Sequence, residues 1–134
     1  MSGVFYVGLM SGTSLDGVDA VLADFDAGKP RLIGHAHLAF DAALRGELLA
    51  LNSPAENEID RAALAGNALA RQYATAVAEV LAASKTPASE IGAIGCHGQT
   101  VRHRPERGYT TQIGNAALLA ELTGTRVVDR KSVV

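Results

Sequence analysis

The sequence predicts an α/β fold with one mixed sheet, in which strands and helices follow one another in the order β-β-β-α-β-α-β. Three strand-like stretches joined by short turns come first, a long helical pattern follows, and short strands then alternate with a helix. Strands joined by short turns pair antiparallel, whereas helical crossovers return the chain to parallel strands. A chain of 134 residues is long enough for one such domain and its core.

The first three strands are predicted from β-branched and aromatic residues bounded by turn residues. Val4 to Met10 runs into the small residues Ser11 to Ser14. The pattern resumes from Val18 to Phe25 and, after a break at Asp26 to Pro30, from Arg31 to Phe40. These stretches predict an antiparallel meander.

A long helix is predicted in the middle of the chain. Ala42 to Leu51 is rich in Ala and Leu, and Ser53 to Glu56 has the layout of a capping box with Pro in the first turn, so we expect the helix to begin near residue 54. From Ile59 onward, apolar residues recur at steps of three and four and should pack on the sheet. They are Leu69, Tyr73, Val77, Val80 and Leu81. Thr86-Pro87 should end the helix.

Ile91 to Cys96 predicts a short buried strand that carries the polar loop His97 to Thr100 at its C-terminal end. The charged stretch Val101 to Tyr109 predicts a surface excursion, and Thr110 to Ile113 a further short strand.

The last predicted elements are a helix and a strand. Asn115 is a typical cap for a helix over Ala116 to Leu122, and Gly124 is a typical helix end before Arg126 to Val128.

Composition argues against several function classes. A net charge of −2 with scattered signs and few aromatic residues does not favour nucleic-acid binding. The apolar runs are too short for a membrane span, and the N-terminus lacks the layout of a signal peptide, so we expect a cytoplasmic protein with no membrane partner. The single Cys96 excludes an internal disulfide and a multi-thiolate zinc site.

The stretch Gly8 to Asp19 is the strongest chemical signal. Its turn of Gly, Ser and Thr lets backbone N–H groups and hydroxyls approach a phosphate, while Asp16 and Asp19 could hold Mg²⁺ or orient the turn. It is neither a Walker A loop, nor a Rossmann fingerprint, nor a hydrolase elbow. The alternative is a plain glycine-rich hairpin.

A second polar loop follows the predicted strand at Ile91. His97 could donate or accept a proton, and Gln99 and Thr100 offer neutral hydrogen bonds to sugar hydroxyls or phosphate oxygens. The alternative is a turn whose polar groups satisfy backbone atoms. Neighbouring residues of a strand point to opposite faces, so Cys96 is interpreted as a core residue and not as the partner of His97.

Two further groups of polar residues are weaker candidates. His35 and His37 share one strand face, but no carboxylate or thiol lies near them in sequence, so we interpret them as exposed structural residues and predict no metal site. A cluster of basic residues could meet an anionic sugar, although a solvated loop is the preferred interpretation. It comprises Arg102, His103, Arg104 and Arg107.

These motifs resemble the anhydro-N-acetylmuramic acid kinase family over nearly the whole chain. Gly8 to Asp19 resembles its phosphate loop almost letter for letter, and Ile94 to Val101 and Gln112 to Gly114 resemble its next two landmarks. The element order resembles the ribonuclease-H-like half-domain of the actin/hexokinase-like (ASKHA) superfamily. Residues 1–134 would then be a truncated N-terminal ATP-phosphate-binding half-domain, with the second half-domain absent.

The resemblance also implies site residues. Those expected to contact ATP are Gly12, Thr13, Ser14, Leu15, Asp16, Gly17, Val18 and Asp19. Those expected to line the sugar side of the cleft are His97, Gly98, Gln99 and Thr100. The family uses ATP and Mg²⁺ to convert 1,6-anhydro-N-acetylmuramic acid into N-acetylmuramic acid 6-phosphate in peptidoglycan recycling.

The chain departs from the family pattern near its end. The family continues with an Asp-Phe-Arg type motif where this chain has Asp129-Arg130, and the family's catalytic aspartate lies in a later Asp-Thr-Gly-Pro-Gly-Asn motif. We therefore assign no catalytic residue and expect the chain alone to be inactive. Two alternatives remain, a non-catalytic nucleotide-binding module of the actin/chaperone type and another sugar kinase, and a homodimer of the full-length form is left open.

Overall fold

The computed structural model describes residues 5–26 and 28–129, which form a mixed α/β structure as predicted. The strands are β1 (Phe5–Met10), β2 (Gly17–Asp24), β3 (Arg31–Ala39), β4 (Ile91–Cys96), β5 (Gln99–Arg104), β6 (Tyr109–Ile113) and β7 (Val127–Val128). The α-helices are α1 (Ala42–Ala50), α2 (Glu58–Ser84) and α3 (Ala116–Thr123), and short 3₁₀ turns cover Ala88–Glu90 and Pro105–Arg107. Within these residues, no helix has the length and apolarity needed to cross a membrane.

The main sheet has the strand order β3-β2-β1-β4-β7. β1, β2 and β3 pair antiparallel, which confirms the predicted meander, and β4 pairs parallel to both β1 and β7. Because β1 and β4 are parallel, with Leu9 opposite Cys96, their carboxyl ends lie side by side. The segments that follow these two strands therefore leave the same edge of the sheet.

Helix α2 covers one face of this sheet. Leu69, Tyr73, Val77 and Val80 are buried, and Leu81 packs against the same core, so the predicted helix face is confirmed. Facing them are alternate strand residues that are also buried, which is the period-two pattern of a half-covered sheet. They include Val7, Leu9, Val18, Ala20, Leu22 and Ile94. On the other face, Tyr6, Met10 and Asp19 are exposed.

The predicted start of the long helix is wrong. Ala42–Ala50 is a separate helix, in which Asp41 Oδ1 accepts the N–H of Leu44 at 2.8 Å. α2 begins only at Glu58, after Asn57 in a left-handed conformation. Glu58 accepts the Ala55 N–H at 3.1 Å and pairs with Arg102. The acidic residue that bonds to the backbone at the start of α2 is therefore Glu58 and not Glu56. The predicted end near Thr86 is confirmed within two residues.

The predicted surface excursion over Val101 to Tyr109 is confirmed for His103 and residues 105–109, which are exposed, but the strand pairing within it was not predicted. β5 and β6 form an antiparallel hairpin, and the expected strand at Thr110 to Ile113 pairs with β5 and not with the main sheet. Val101 is buried, and Arg102 donates to the Leu51 carbonyl as well as pairing with Glu58. The hairpin is thus held against the helices by groups that are distant in sequence.

The predicted cap and end of the last helix are confirmed. Asn115 Oδ1 accepts the N–H of Leu118 at 3.0 Å, and Gly124 follows the helix with a φ of 68°. This helix leads into β7 beside β4.

Candidate functional site

Two loops leave the common edge of β1 and β4, and we name them by position. The first loop is residues 11–16, between β1 and β2, and the second loop is His97-Gly98, between β4 and β5. Ligands of α/β proteins typically bind outside the carboxyl ends of parallel strands. This edge is therefore where the sequence-predicted residues should meet.

The first loop is anchored from inside by Leu15. The side chain of Leu15 is 3% exposed, although its backbone has a left-handed φ of 58°. Its N–H donates to the Gly12 carbonyl at 3.1 Å, and its own carbonyl accepts from Arg45 Nε at 3.2 Å. A left-handed conformation costs a non-glycine residue roughly 1–2 kcal/mol, which burial of a leucine side chain offsets.

The tip of the first loop is exposed at Gly12, Thr13 and Ser14. Ser14 Oγ donates to Asp16 Oδ2 at 3.3 Å, which orients that hydroxyl. The tip thus presents the Thr13 hydroxyl and a glycine without a Cβ to an anion, and Ser14 could donate to an anion only by giving up its bond to Asp16. In contrast, Leu15 and Val18 have buried side chains and could offer only backbone groups to a ligand.

Asp19 lies at the foot of this loop on the exposed face of the sheet. Its Oδ1 is 2.9 Å from His37 Nδ1 and 3.3 Å from His35 Nε2. The hydrogen bond from His37 is the main reason why the pKa of Asp19 lies below its ordinary value. His35 and His37 are exposed as expected. No carboxylate lies near them in sequence, but the neighbouring strand supplies one, because Asp19 is opposite His37.

The described residues do not form a preformed metal-binding site. In residues 5–26 and 28–129, no group of three or more His, Cys, Asp or Glu side chains is arranged to hold a metal ion. A Mg²⁺ ion bound here would be held by one or two carboxylates together with ligand oxygens and water, which is its usual way of binding nucleotides.

The second loop is fixed by its backbone. Gly98 has a φ of 86°, and a Cβ at this position would lie 2.4 Å from the carbonyl oxygen of Ile113. Only glycine fits this close approach. His97 remains exposed beside it.

Gln99 points inward, unlike His97. It is 0% exposed, and its Nε2 donates to the carbonyls of Gly12 at 3.1 Å and of Thr100 at 3.3 Å. The alternative that polar groups of this segment satisfy backbone atoms is thus confirmed for Gln99, whose side chain ties the second loop to the first. Sugar contact by His97, Gly98, Gln99 and Thr100 stays a prediction.

Cys96 has the environment of a core residue, as interpreted from the sequence. It packs against the buried cluster, and burial raises the pKa of its thiol to about 11. The thiol is therefore protonated near neutral pH and is a poor nucleophile.

A cleft of about 1080 Å³ opens beside the second loop. Of the predicted site residues, it is lined by Asp19, His97 and Gly98, whereas the tip of the first loop lies outside its lining. Other lining residues were not predicted as site residues. They include Met10, Gln112, Asn115 and Asp129.

Asp129 is the unpredicted residue with the clearest sequence signal. It directly follows β7, which is parallel to β4, so it leaves the same edge as the two loops. The rule that ligands bind at this edge could have indicated it. Asn115 gave a weaker signal because its capping role explained it completely.

Comparison with known proteins identifies a family for this sequence. The family model described as anhydro-N-acetylmuramic acid kinase matches residues 4–132. The protein of that name from Variovorax paradoxus (strain S110) is 60% identical over 132 residues, which covers 96% of this chain and 35% of the relative.

Other relatives with the same name give a similar result. The protein from Nitrosospira multiformis is 55% identical over 130 residues, covering 96% of this chain and 36% of the relative. The protein from Bordetella pertussis is 53% identical over 126 residues, covering 94% and 33%. The chain thus spans about a third of the length of the curated relatives it matches.

Proposed function

This chain belongs to the anhydro-N-acetylmuramic acid kinase family, and from that premise we propose that it supplies the nucleotide-phosphate side of an ATP-dependent sugar kinase. The full-length protein would convert 1,6-anhydro-N-acetylmuramic acid into N-acetylmuramic acid 6-phosphate with hydrolytic opening of the anhydro ring. This reaction would serve peptidoglycan recycling in the cytoplasm. The meander followed by two parallel strands supports assignment of residues 1–134 to a ribonuclease-H-like half-domain of the ASKHA type.

The observation that carries the proposal is the construction of the first loop. Its base is locked by the buried Leu15, while Gly12, Thr13 and Ser14 are exposed at the tip. Phosphoryl transfer depends mainly on positioning and on stabilising charge. A rigid loop with exposed donors meets that requirement, because its groups lose little freedom when they bind phosphate.

The carboxylates near the loop would serve the metal ion. Mg²⁺, when bound, neutralises charge on the phosphates. Asp16 lies beside the tip and Asp19 at its foot, so either could accept hydrogen bonds from metal-bound water. Asp19, whose pKa lies below its ordinary value of 3.8, is ionised at neutral pH and able to do so.

The sugar would occupy the cleft beside the second loop. His97 is exposed there and offers ring nitrogens that can donate to or accept from sugar hydroxyls. We assign no general base within this chain, and the group that activates water is expected in a later motif of the full-length protein. The chain alone should therefore not turn over.

The test is a kinase assay on a full-length protein that contains residues 1–134. We expect ATP consumption that depends on 1,6-anhydro-N-acetylmuramic acid, with the 6-phosphate product identified by mass spectrometry. Thr13→Ala should lower kcat/KM about 10-fold or more, because a hydrogen bond to a charged group contributes roughly 1.5–3 kcal/mol. Thr75→Ala, which removes an exposed helix hydroxyl bonded only to the Arg71 carbonyl, is the matched control.

Each other outcome has a definite meaning. ATP binding with no sugar dependence would favour a non-catalytic nucleotide module, and turnover of another sugar would favour a different kinase of the superfamily. Turnover by residues 1–134 alone would contradict the expected inactivity of the chain.

A further inference from the structure

Three buried side chains join the first loop to the second, and we call them the interloop bridge: Ser11, Tyr73 and Gln99. Ser11 Oγ is 2.9 Å from Tyr73 Oη and makes a longer contact of 3.5 Å to the Gly98 carbonyl. Gln99 Nε2 donates to the Gly12 carbonyl, across 87 positions in the sequence. The bridge therefore connects the proposed phosphate loop with Gly98 of the proposed sugar loop and with Gln99, the residue that follows it.

The bridge is almost wholly buried. Ser11 is 3% exposed, Tyr73 2% and Gln99 0%. Burial raises the pKa of Tyr73 well above its ordinary value, so its hydroxyl stays protonated and can donate to Ser11. Hydrogen bonds in such an environment are stronger than in water, and a buried group without its partner is costly. The two loops cannot shift independently without breaking one of these bonds.

Close packing of the backbone adds to this connection. A Cβ at Gly98 would strike the Ile113 carbonyl, and a Cβ at Gly114 would lie 3.5 Å from Gly98 Cα and 3.9 Å from the Tyr73 ring. Tyr73 thus lies beside Gly114, which is itself packed on Gly98, while its hydroxyl holds Ser11. If the second loop moves, Gly114 and the Tyr73 ring beside it must adjust. Tyr73 is also the residue whose hydroxyl positions Ser11 of the first loop.

We propose that Ser11, Tyr73 and Gln99 are positioning residues that couple the two ligand sites, so that occupancy of one loop raises the affinity of the other. This inference rests on the proposed function for the identity of the two ligands. Each ligand contacts a different loop, but both bind the arrangement in which the bridge is formed. A ligand bound at either loop stabilises that arrangement against opening of the bridge, so the other ligand meets a larger population of the form that it binds. Linkage requires the effect to be equal in both directions.

The experiment measures this coupling in a full-length protein that contains residues 1–134. Calorimetry gives the Kd of Mg²⁺ with a non-hydrolysable ATP analogue, in the presence and absence of saturating 1,6-anhydro-N-acetylmuramic acid. The ratio of the two values is the coupling factor. For the wild type we expect a factor of about 5 or more, as is typical of coupled sites.

Removing one hydroxyl or one amide donor should abolish the coupling. Tyr73→Phe and Gln99→Met should each bring the factor to about 1–2, and the sugar's Kd should show the same loss in the reverse titration. Tyr6→Phe removes a hydroxyl of the opposite sheet face and should keep the wild-type factor. Ser11→Ala combined with Tyr73→Phe should be no worse than Ser11→Ala alone, because Ser11→Ala already removes the bond between the two hydroxyls.

The outcomes separate this inference from the function on which it rests. If the wild type binds neither ligand, the proposed function fails. If it binds both but shows a factor near 1, or if Tyr73→Phe retains the wild-type factor while only its melting temperature falls, the coupling role is overturned. Ser11→Ala decides the question in the same way should Tyr73→Phe fail to fold.

Discussion

The two loops at the carboxyl edge of the sheet are held in opposite ways. In the first loop a side chain is the anchor, since Leu15 is buried at the cost of a left-handed backbone, and the tip is free. In the second loop the backbone is the anchor, since Gly98 packs on Ile113 with no room for a Cβ, and His97 projects outward. The first loop can therefore present backbone and hydroxyl donors, whereas the second presents one imidazole from a fixed position.

The largest predicted effect concerns the backbone anchor. Gly98 and Gly108 have nearly the same φ, 86° and 82°, but a Cβ at Gly108 would meet nothing within 4 Å. Gly108→Ala should lower the free energy of unfolding by only about 1–2 kcal/mol, the cost of the left-handed conformation. Gly98→Ala adds a backbone clash and should cost about 3 kcal/mol or more by urea denaturation. Equal losses in the two variants would show that the second loop is not held by close packing.

The side-chain anchor should give the next largest effect. Leu15→Ala removes a core side chain and should cost about 2–4 kcal/mol, whereas Leu49→Ala, at a leucine that is 57% exposed, should change stability by less than about 0.5 kcal/mol. Thr13→Ala at the tip should also leave stability unchanged while it weakens phosphate binding. A destabilised Thr13→Ala variant would contradict the separation of anchor and tip.

The smallest effect concerns Asp19, which lies on β2 at the foot of the first loop. Its pKa lies below the ordinary value of 3.8, so its ionised form stabilises the folded state above about that pH, and this contribution is lost as the pH falls through the lowered pKa. Because Asp19, His35 and His37 are about half exposed, the contribution should not exceed about 1 kcal/mol. Asp19→Asn should therefore flatten the acid limb of the stability curve slightly, as measured by denaturation from pH 5 to pH 3 (the window around 3.8). An unchanged acid limb would show that the histidines do not favour the ionised carboxylate.

Much of the fold was predictable because its patterns are local. The meander follows from alternation and turn residues, and the buried face of α2 follows from the helical period. The division between α1 and α2 was not predictable. The capping-box layout at Ser53 is a sound local signal for a helix start, but ion pairs between residues distant in sequence stabilise a different start. Arg61 binds Glu47 across the corner between the helices, and Arg102 of the hairpin binds Glu58.

The hairpin was missed for a related reason. Its charged residues hide the alternation of a strand, and their partners lie partly outside the segment, as Arg102 with Glu58 shows. Val101 is the only apolar residue of β5, and one apolar residue cannot reveal the two-residue period of a strand.

Only features within a single loop of the site could be predicted from the sequence. The residue types at Gly12, Thr13 and Ser14 predict an exposed turn, which the structure confirms, whereas anion binding by this turn stays a prediction. The contacts of Asp19 with two histidines require the register of β2 against β3, and the contact of Tyr73 with Ser11 requires the placement of a helix 62 positions away. No local sequence pattern predicts either of these contacts.

Binding of nucleotide phosphates at the tip of the first loop is the property on which the proposed function depends. The most direct measurement is amide NMR of a full-length protein containing residues 1–134, titrated with Mg²⁺ and a non-hydrolysable ATP analogue. We expect the amides of Gly12, Thr13 and Ser14 to shift first and most, with smaller changes at Gly98 transmitted through the interloop bridge. Saturable binding that leaves the amides of Gly12, Thr13 and Ser14 unshifted would show that the nucleotide phosphates bind elsewhere.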